Sequence, residues 1–241
     1  MVDPAIASRI AAKLSTEPPR VLEIGPGRGA LTEPLLDRFG RVLALELDKN
    51  LAPPLAARFG DRGLDIREAD ALTEDLDELL GPEAPWQVAS NLPYSVGTAI
   101  LRRLLPRHDL MTRLVVMLQR EVAHRVVAEP GGKGHGLIAL ERAAWADASI
   151  LFDVDPGSFR PRPKVVSTVL VLDLKKRDHD QQLLNRAFEL ASKALTLPRK
   201  MLSNALPAEI ASSTLEEAGL EPSARPGTVP LDGWLRLAEL S

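Results

Sequence analysis

Short apolar runs alternate with longer amphipathic stretches through the first half of the chain. This alternation predicts an α/β fold, in which a mostly parallel sheet is built from strands joined by crossover helices. The run at 42–46 is nearly all apolar, as expected for a strand buried on both faces. The predicted strands cover residues 20–24, 42–46, 64–68, 86–90 and 114–119, and the predicted helices include 30–39, 51–59, 96–105 and 121–129.

The pattern changes after Gly136. Residues 143–152 and 165–174 are two apolar stretches around the turn sequence Asp155-Pro-Gly-Ser158, which predicts an antiparallel hairpin at one edge of the sheet. Only helical periodicity follows, over residues 182–196, 198–206, 208–218 and 231–240. We therefore predict an α/β domain over residues 1–176 and a small all-helical domain over residues 177–241.

Composition excludes several classes of function. The 241 residues, 45% of them hydrophobic, are enough for one α/β domain with a small appendage. There is no cysteine, which excludes disulfides, thiolate metal sites and cysteine nucleophiles. The four histidines lack the spacing of a zinc site, so we predict no metal. No apolar run resembles a membrane helix or a signal peptide, and we expect a cytoplasmic protein without a membrane partner.

The net charge is only −3, but the basic residues are unevenly distributed. Residues 160–204 contain ten Lys or Arg against four Asp or Glu, and residues 102–125 form a second arginine-rich stretch. Each run alone usually solvates a helix face, whereas two runs in an acidic chain favour a phosphate-binding surface. The residues that we predict to bind a nucleic acid are Arg102, Arg103, Arg120, Arg160, Arg162, Lys164, Arg199 and Lys200.

A glycine-rich turn, Gly25-Pro-Gly-Arg-Gly29, follows the first predicted strand. Without Cβ atoms the backbone can approach a ligand closely, and the next helix offers free N–H groups. Glu46 ends the second predicted strand, where a carboxylate can accept both ribose hydroxyls of an adenosine. The turn and the carboxylate predict a nucleoside-containing cofactor that contacts Gly25, Gly27 and Glu46.

Two cofactor classes fit this arrangement, a dinucleotide and S-adenosylmethionine. The turn departs from the Gly-x-Gly-x-x-Gly pattern of dinucleotide sites, and an acid, Glu23, lies within the first strand. Asp70 and Ala71 follow the third strand, where Asp70 can accept from an adenine amine or cap a helix ahead of Leu72. A carboxylate-rich pocket suits a cationic sulfonium and repels a pyrophosphate. We therefore predict S-adenosylmethionine.

The sequence Asn91-Leu-Pro-Tyr94 follows the fourth predicted strand. The N6 lone pair of adenine is delocalised into the ring, so the amine needs acceptors that pull it towards sp³ geometry. The Asn91 amide oxygen and the carbonyl of Leu92 or Pro93 can accept its two hydrogens, and Tyr94 can stack on an extruded base. An ordinary Asn-Pro turn is the alternative. We predict methylation of an exocyclic amine on a base, catalysed without an early general base.

At these motifs the chain resembles the small-subunit ribosomal RNA adenine N6,N6-dimethyltransferases, over nearly its whole length. Residues 21–35 are similar to the donor motif of that family and 91–94 to its catalytic motif. Residues 119–125, 156–165 and 199–200 are similar to later signatures, of which Ser-Phe-x-Pro-x-Pro-Lys-Val at 158–165 is the most specific.

The resemblance implies a seven-stranded Rossmann-like domain and a helical domain that docks RNA. It implies dimethylation of two adjacent adenosines near the 3′ end of small-subunit rRNA. We expect the substrate to be a pre-ribosomal small subunit and the enzyme to be a monomer, because nothing in the sequence requires a larger assembly. It also implies that Gly25, Glu46, Asp70 and Asn91 contact the donor, and that Phe159 and Tyr94 enclose the target adenine, which must leave its stack. Leu92 and Pro93 complete the predicted catalytic set.

The chain departs from the family pattern in three places. The Gly-Gln-x-Phe-Leu segment that lies over the donor is expected before Asp3, and Gly97-Thr98 and His135 replace more usual residues. Two alternatives stay open. One is a large-subunit rRNA methyltransferase of the macrolide-resistance type, against which the Phe159 segment argues. The other is a non-catalytic RNA-binding assembly factor, against which Asn91, Glu46 and Asp70 argue.

Overall fold

A computed structural model describes residues 3–176 and 180–241, and within them the chain forms a seven-stranded sheet of order β3-β2-β1-β4-β5-β7-β6. Strands β1 to β5 are parallel, and β7 is antiparallel to both β5 and β6. The predicted fold class is confirmed. The strands are β1 (Val21–Ile24), β2 (Val42–Glu46), β3 (Leu64–Glu68), β4 (Trp86–Asn91), β5 (Met111–Gln119), β6 (Ala146–Val154) and β7 (Ser167–Leu174).

Helices occupy the crossovers between the parallel strands and continue after the sheet. Their bounds in the described residues are α1 (Pro4–Ala11), α2 (Thr32–Phe39), α3 (Ala52–Phe59), α4 (Leu76–Leu80), α5 (Gly97–Leu104), α6 (Arg120–Val126), α7 (Leu137–Trp145), α8 (Gln181–Leu195), α9 (Leu202–Ala205), α10 (Ser212–Glu217) and α11 (Leu231–Leu240). Strands β1 and β2 are buried along their whole length, which explains their continuous apolar sequences. No helix in these described ranges is long and apolar enough to cross a membrane.

The edge hairpin forms around residues 155–158, as predicted, but it begins later than expected. Residues 143–145 were predicted as strand and instead form the last turn of α7, with Ala144 and Trp145 buried. Ala143 and Ala144 favour a helix over a strand, but the apolar pattern does not register this propensity and so placed the boundary too early. Helix 198–206 was also predicted too long, because only Leu202–Ala205 is helical.

The chain divides into two compact units, which differ from the predicted domains. The first contains Met1–Ala123 and Ala146–Lys175, and the second contains His124–Trp145 and Lys176–Ser241. The predicted boundary at residue 177 assigned residues 124–145 to the α/β domain. Residues 124–145 fall in the second unit because α7 packs against α8 and α11. The periodicity of α7 predicts an apolar face but does not indicate which neighbours cover that face.

The second unit has its own apolar core. Trp234 of α11 is completely buried, as are Leu184 and Ala191 of α8. The Asp180 carboxylate caps α8 by accepting a hydrogen bond from the Leu183 N–H at 2.9 Å. His135 belongs to the same unit, at a position where the family that the sequence resembles usually has another residue. Its Nδ1 lies 2.9 Å from the Gly227 carbonyl oxygen, and burial lowers the pKa of the imidazole.

Candidate active site

The carboxyl ends of four adjacent parallel strands carry the residues predicted to hold the cofactor. In spatial order these strands are β3, β2, β1 and β4. Asp70 follows β3, Glu46 ends β2, the glycine turn at 25–29 follows β1, and Asn91 ends β4. Ligands of open parallel sheets bind at this edge, so the topology brings the predicted donor residues to one side of the sheet.

The glycines of the turn have two different tasks. Gly25 and Gly27 have φ angles of 67° and 59°, and a Cβ at either position would meet no protein atom within 4 Å. These two glycines therefore leave open space beside a backbone that only glycine adopts readily. A Cβ on Gly29 would lie 2.6 Å from the Phe59 ring, so Gly29 permits the turn to pack against α3.

Glu46 is 7% exposed and anchors the glycine turn. Its Oε2 accepts a hydrogen bond from the Gly27 N–H at 3.0 Å, and its Oε1 accepts one from the Asp48 N–H at 2.9 Å. A carboxylate oxygen has capacity for a second hydrogen bond, so both oxygens can still accept from a ribose. Glu46 therefore holds the turn and presents acceptors at the same edge.

Glu23 is a buried acid next to this turn, and it was not among the predicted site residues. It lies within β1, and its Oε2 accepts a hydrogen bond from the Thr32 hydroxyl at 2.7 Å. Burial raises the pKa of Glu23 to about 8, and the nearby negative charge of Glu46 adds to the rise, against the Thr32 hydrogen bond. Glu23 is thus largely protonated at neutral pH in the free protein.

Asp70, Ala71 and Arg103 form one structural group. The Asp70 Oδ1 accepts from the Leu72 N–H at 2.9 Å, as in a helix cap, and leaves Oδ2 for another donor. The Arg103 guanidinium donates to the Ala71 carbonyl at 2.6 Å and to the Glu74 carbonyl. Arg103 was predicted to bind RNA, but these bonds engage it in holding the loop after β3. The charge pattern missed this because the carbonyl partners leave no signal in the sequence.

Asn91 is the last residue of β4 and lies opposite Met117 of β5 in the sheet register. No hydrogen bond to its side-chain amide is found within residues 3–176 and 180–241. The Pro93 carbonyl accepts from the Val96 and Gly97 N–H groups at 3.2 and 2.7 Å, whereas the Leu92 carbonyl accepts none of the bonds in the described part. Of the two carbonyls considered from the sequence, that of Leu92 is therefore the available acceptor.

An aromatic and proline-lined cleft of about 190 Å³ adjoins these acceptors. The sheet and hairpin bring together Asn91, Leu92, Pro93, Tyr94, Phe159, Pro161 and Pro163 around it. Phe159 is 7% exposed and packs into the core, whereas Tyr94 is 37% exposed. The Tyr94 hydroxyl is 2.6 Å from the Ser167 Oγ, a partner that the sequence did not indicate. The predicted catalytic residues therefore meet at one cleft.

The predicted RNA-binding residues occupy three settings besides that of Arg103. Arg160, Arg162 and Lys164 are exposed and alternate along the chain with the residues that line the cleft. Arg102 and Arg120 are exposed on the first unit, and Arg120 lies 3.5 Å from the Asp153 carboxylate. Arg199 and Lys200 are exposed on the second unit, and neither has an ion pair within the ranges described.

A family model described as ribosomal RNA adenine dimethylase matches residues 1–240 of the chain. The chain belongs to the ribosomal RNA adenine dimethylase family. As a member, it is an S-adenosylmethionine-dependent enzyme that methylates adenine in rRNA. The open glycine turn and the acidic residues beside it fit that donor, since it carries a cationic sulfonium. No group of three or more His, Asp or Glu in the described residues is arranged to hold a metal ion.

Individual dimethylase relatives are similar over nearly the whole chain. The ribosomal RNA small subunit methyltransferase A of Geobacter sulfurreducens is 37% identical and covers 99% of this chain and 91% of its own length. That of Acinetobacter baylyi is 35% identical, covering 98% and 88%.

Two solved structures share the fold. A dimethyladenosine transferase from Plasmodium falciparum has a TM-score of 0.81 at 21% identity, covering 98% of this chain and 95% of its own. The 23S rRNA methyltransferase ErmE has a TM-score of 0.72 at 25% identity, covering 99% and 97%.

Proposed function

We propose that this dimethylase transfers methyl groups from S-adenosylmethionine to N6 of two adjacent adenosines near the 3′ end of small-subunit rRNA. The observation that carries the proposal is the position of Asn91. It ends β4, at the edge that bears the glycine turn and Glu46, and it also lines the aromatic cleft. A side chain at this junction can hold an amine beside a methyl donor.

The chain supplies acceptors for the amine. The Asn91 amide oxygen and the Leu92 carbonyl each accept one N6 hydrogen. This favours the sp³ geometry, in which the nitrogen lone pair is no longer delocalised into the ring. The donor, when bound, supplies an electrophilic methyl group on a sulfonium. The amine becomes cationic when it accepts the methyl group and then releases its proton to water, so an early base is unnecessary. Holding the nitrogen, the methyl carbon and the sulfur in line accounts for much of the rate.

The cleft holds an adenine that has left its stack. Tyr94 offers the more exposed ring, and stacking on an aromatic side chain contributes about 1–3 kcal/mol per base. Phe159 lines the same cleft and, although largely buried, can contact the base there. Unstacking the target costs a few kcal/mol, and these contacts offset that cost.

The residues after Phe159 separate base contacts from phosphate contacts. Pro161 and Pro163 line the cleft, while Arg160, Arg162 and Lys164 are exposed. We propose that the prolines contact the extruded base and the three cations contact the phosphates on either side of it. Arg199 and Lys200 are proposed to bind RNA phosphates on the second unit. Such contacts release counterions, so binding should weaken steeply with salt.

The choice of ribosomal subunit is tested by primer extension. The relatives named above are small-subunit methyltransferases, whereas ErmE acts on 23S rRNA. Both subunits from a strain that lacks the modification would be treated with the enzyme and S-adenosylmethionine. A stop at two adjacent adenosines in small-subunit rRNA is expected. A stop only in large-subunit rRNA would support the macrolide-resistance alternative.

We further propose that the substrate is an incompletely assembled small subunit, methylated in the cytoplasm by a monomer. Because each target adenine must leave its stack to enter the cleft, the rRNA that carries it must be free of contacts that would hold the base in place. Titration calorimetry with S-adenosylmethionine distinguishes the enzyme from a non-catalytic assembly factor. Saturable binding of S-adenosylmethionine is expected. If the titration gives no heat of binding and S-adenosylmethionine shows no competition with another ligand of the site, the assembly factor would be favoured.

A further inference from the structure

Ser167 connects the aromatic cleft to the middle of the sheet. It is the first residue of β7 and is completely buried, and its register pairs it with Gln119 of β5 and Val154 of β6. Its Oγ lies 2.6 Å from the Tyr94 hydroxyl. Tyr94 itself lies in the turn after β4. A turn residue is thus tied to a strand residue that is held on both sides.

Two other buried hydroxyl groups of this region have partners away from the cleft. Thr168, the next residue, is also completely buried, but its hydroxyl donates to the Asp153 carboxylate at 2.6 Å. Ser90 of β4 donates to the Ile24 carbonyl at 2.5 Å. Both stabilise neighbouring strands. Of these three hydroxyls, only that of Ser167 reaches a residue that lines the cleft.

We propose that Ser167 is a positioning residue for methyl transfer, whose hydrogen bond fixes the Tyr94 ring in the orientation that stacks the target adenine. The inference rests on the proposed function, in which Tyr94 contacts the base. A residue in a turn positions a substrate less accurately than one on a strand, unless a second residue restrains it. Misplacement by about 1 Å can cost about 100-fold in rate.

The restraint should matter most for the second methyl group. Unmodified N6 carries two hydrogens, which the Asn91 amide oxygen and the Leu92 carbonyl can both accept. After one transfer, N6 retains a single hydrogen, so one acceptor has nothing to bind. The orientation of the amine then depends more on stacking against Tyr94. Loss of the Ser167 hydrogen bond should therefore slow the second transfer more than the first.

The experiment compares Ser167→Ala, Tyr94→Phe, the double variant and the control Thr168→Val. Small subunits that lack the modification are treated with full-length enzyme and S-adenosylmethionine, and mono- and dimethyladenosine are measured over time. We expect each single variant to slow the second transfer about tenfold and the first about threefold, so that monomethyladenosine accumulates. The double variant should match the singles, because both remove one contact. Thr168→Val should keep the wild-type product ratio.

Additive losses in the double variant, or a wild-type product ratio in both single variants, would overturn the role of Ser167. If Ser167→Ala does not fold, Tyr94→Phe carries the same test, because it keeps Ser167 and the aromatic ring. Affinity for S-adenosylmethionine should stay at the wild-type value in every variant. Absence of transfer by the wild-type chain would contradict the proposed function itself, which separates the two failures.

Discussion

Replacing Glu23 with glutamine should change how the stability of the free enzyme depends on pH. Glu23 is buried, and its pKa is raised from an ordinary value of 4.5 to about 8. The unfolded chain loses this proton near pH 4.5, whereas the folded chain keeps it to about pH 8. Between these values the folded state binds one more proton, so stability falls as pH rises. Below pH 4.5 the carboxyl is neutral in both states and the penalty disappears.

The size of the effect follows from the same two pKa values. Each pH unit inside the interval lowers the free energy of unfolding by up to about 1.4 kcal/mol. Between pH 5 and 7.5 the wild type should therefore lose about 3 kcal/mol relative to Glu23→Gln. Glutamine does not titrate, and its amide oxygen can still accept the Thr32 hydrogen bond.

Urea unfolding of the donor-free protein at several pH values between 5 and 8 measures this difference directly. Glu33→Gln is the matched control, because Glu33 has a half-exposed side chain that forms ion pairs with Arg58 and Arg62. Its curve should run parallel to that of the wild type over the interval. Parallel curves for wild type and Glu23→Gln would refute the assignment of a bound proton to Glu23.

Four further substitutions test separate parts of the site. Asn91→Ala should leave the affinity for S-adenosylmethionine within a few-fold in calorimetry yet slow methyl transfer by about 100-fold or more; substantial remaining activity would remove Asn91 from the mechanism. Gly29→Ala should lower the free energy of unfolding by about 1–3 kcal/mol, because its Cβ would clash with Phe59 at a φ of +82°, and wild-type stability in urea would show that α3 can yield. Arg103→Ala should weaken donor binding without changing the salt dependence of RNA binding, whereas Arg162→Ala should reduce the slope of that dependence by about one; the opposite pattern would reverse the two roles.

Much of the parallel sheet could be predicted because the residue patterns that favour each strand locally also fit the position of that strand in the sheet. Val42–Glu46 and Leu64–Glu68 were predicted with their observed bounds. The first is an apolar run that fits a strand buried on both faces, whereas the second alternates apolar and charged residues and forms the edge strand of the sheet, with only Leu64 buried. Asn91 and Glu46 were predicted as site residues because each lies at the carboxyl end of a predicted strand, and the strand order then brings these ends together.

What the sequence did not reveal depends on contacts between distant residues. Residues 124–145 fall in the second unit because of the neighbours that cover α7, which periodicity does not specify. Arg103 donates to carbonyls about thirty positions earlier in the chain, and every residue type has such a carbonyl. Ser167 is a common residue in a strand, and only the fold places its hydroxyl against Tyr94.

Mass spectrometry of small-subunit rRNA tests the central claim most directly. Subunits that lack the modification would be incubated with the enzyme and methyl-labelled S-adenosylmethionine. The rRNA would then be digested, and the labelled positions in its oligonucleotides located by tandem mass spectrometry. The account predicts four labelled methyl groups per particle, two on N6 of each of two adjacent adenosines near the 3′ end. Label on another base, or on large-subunit rRNA alone, would contradict it.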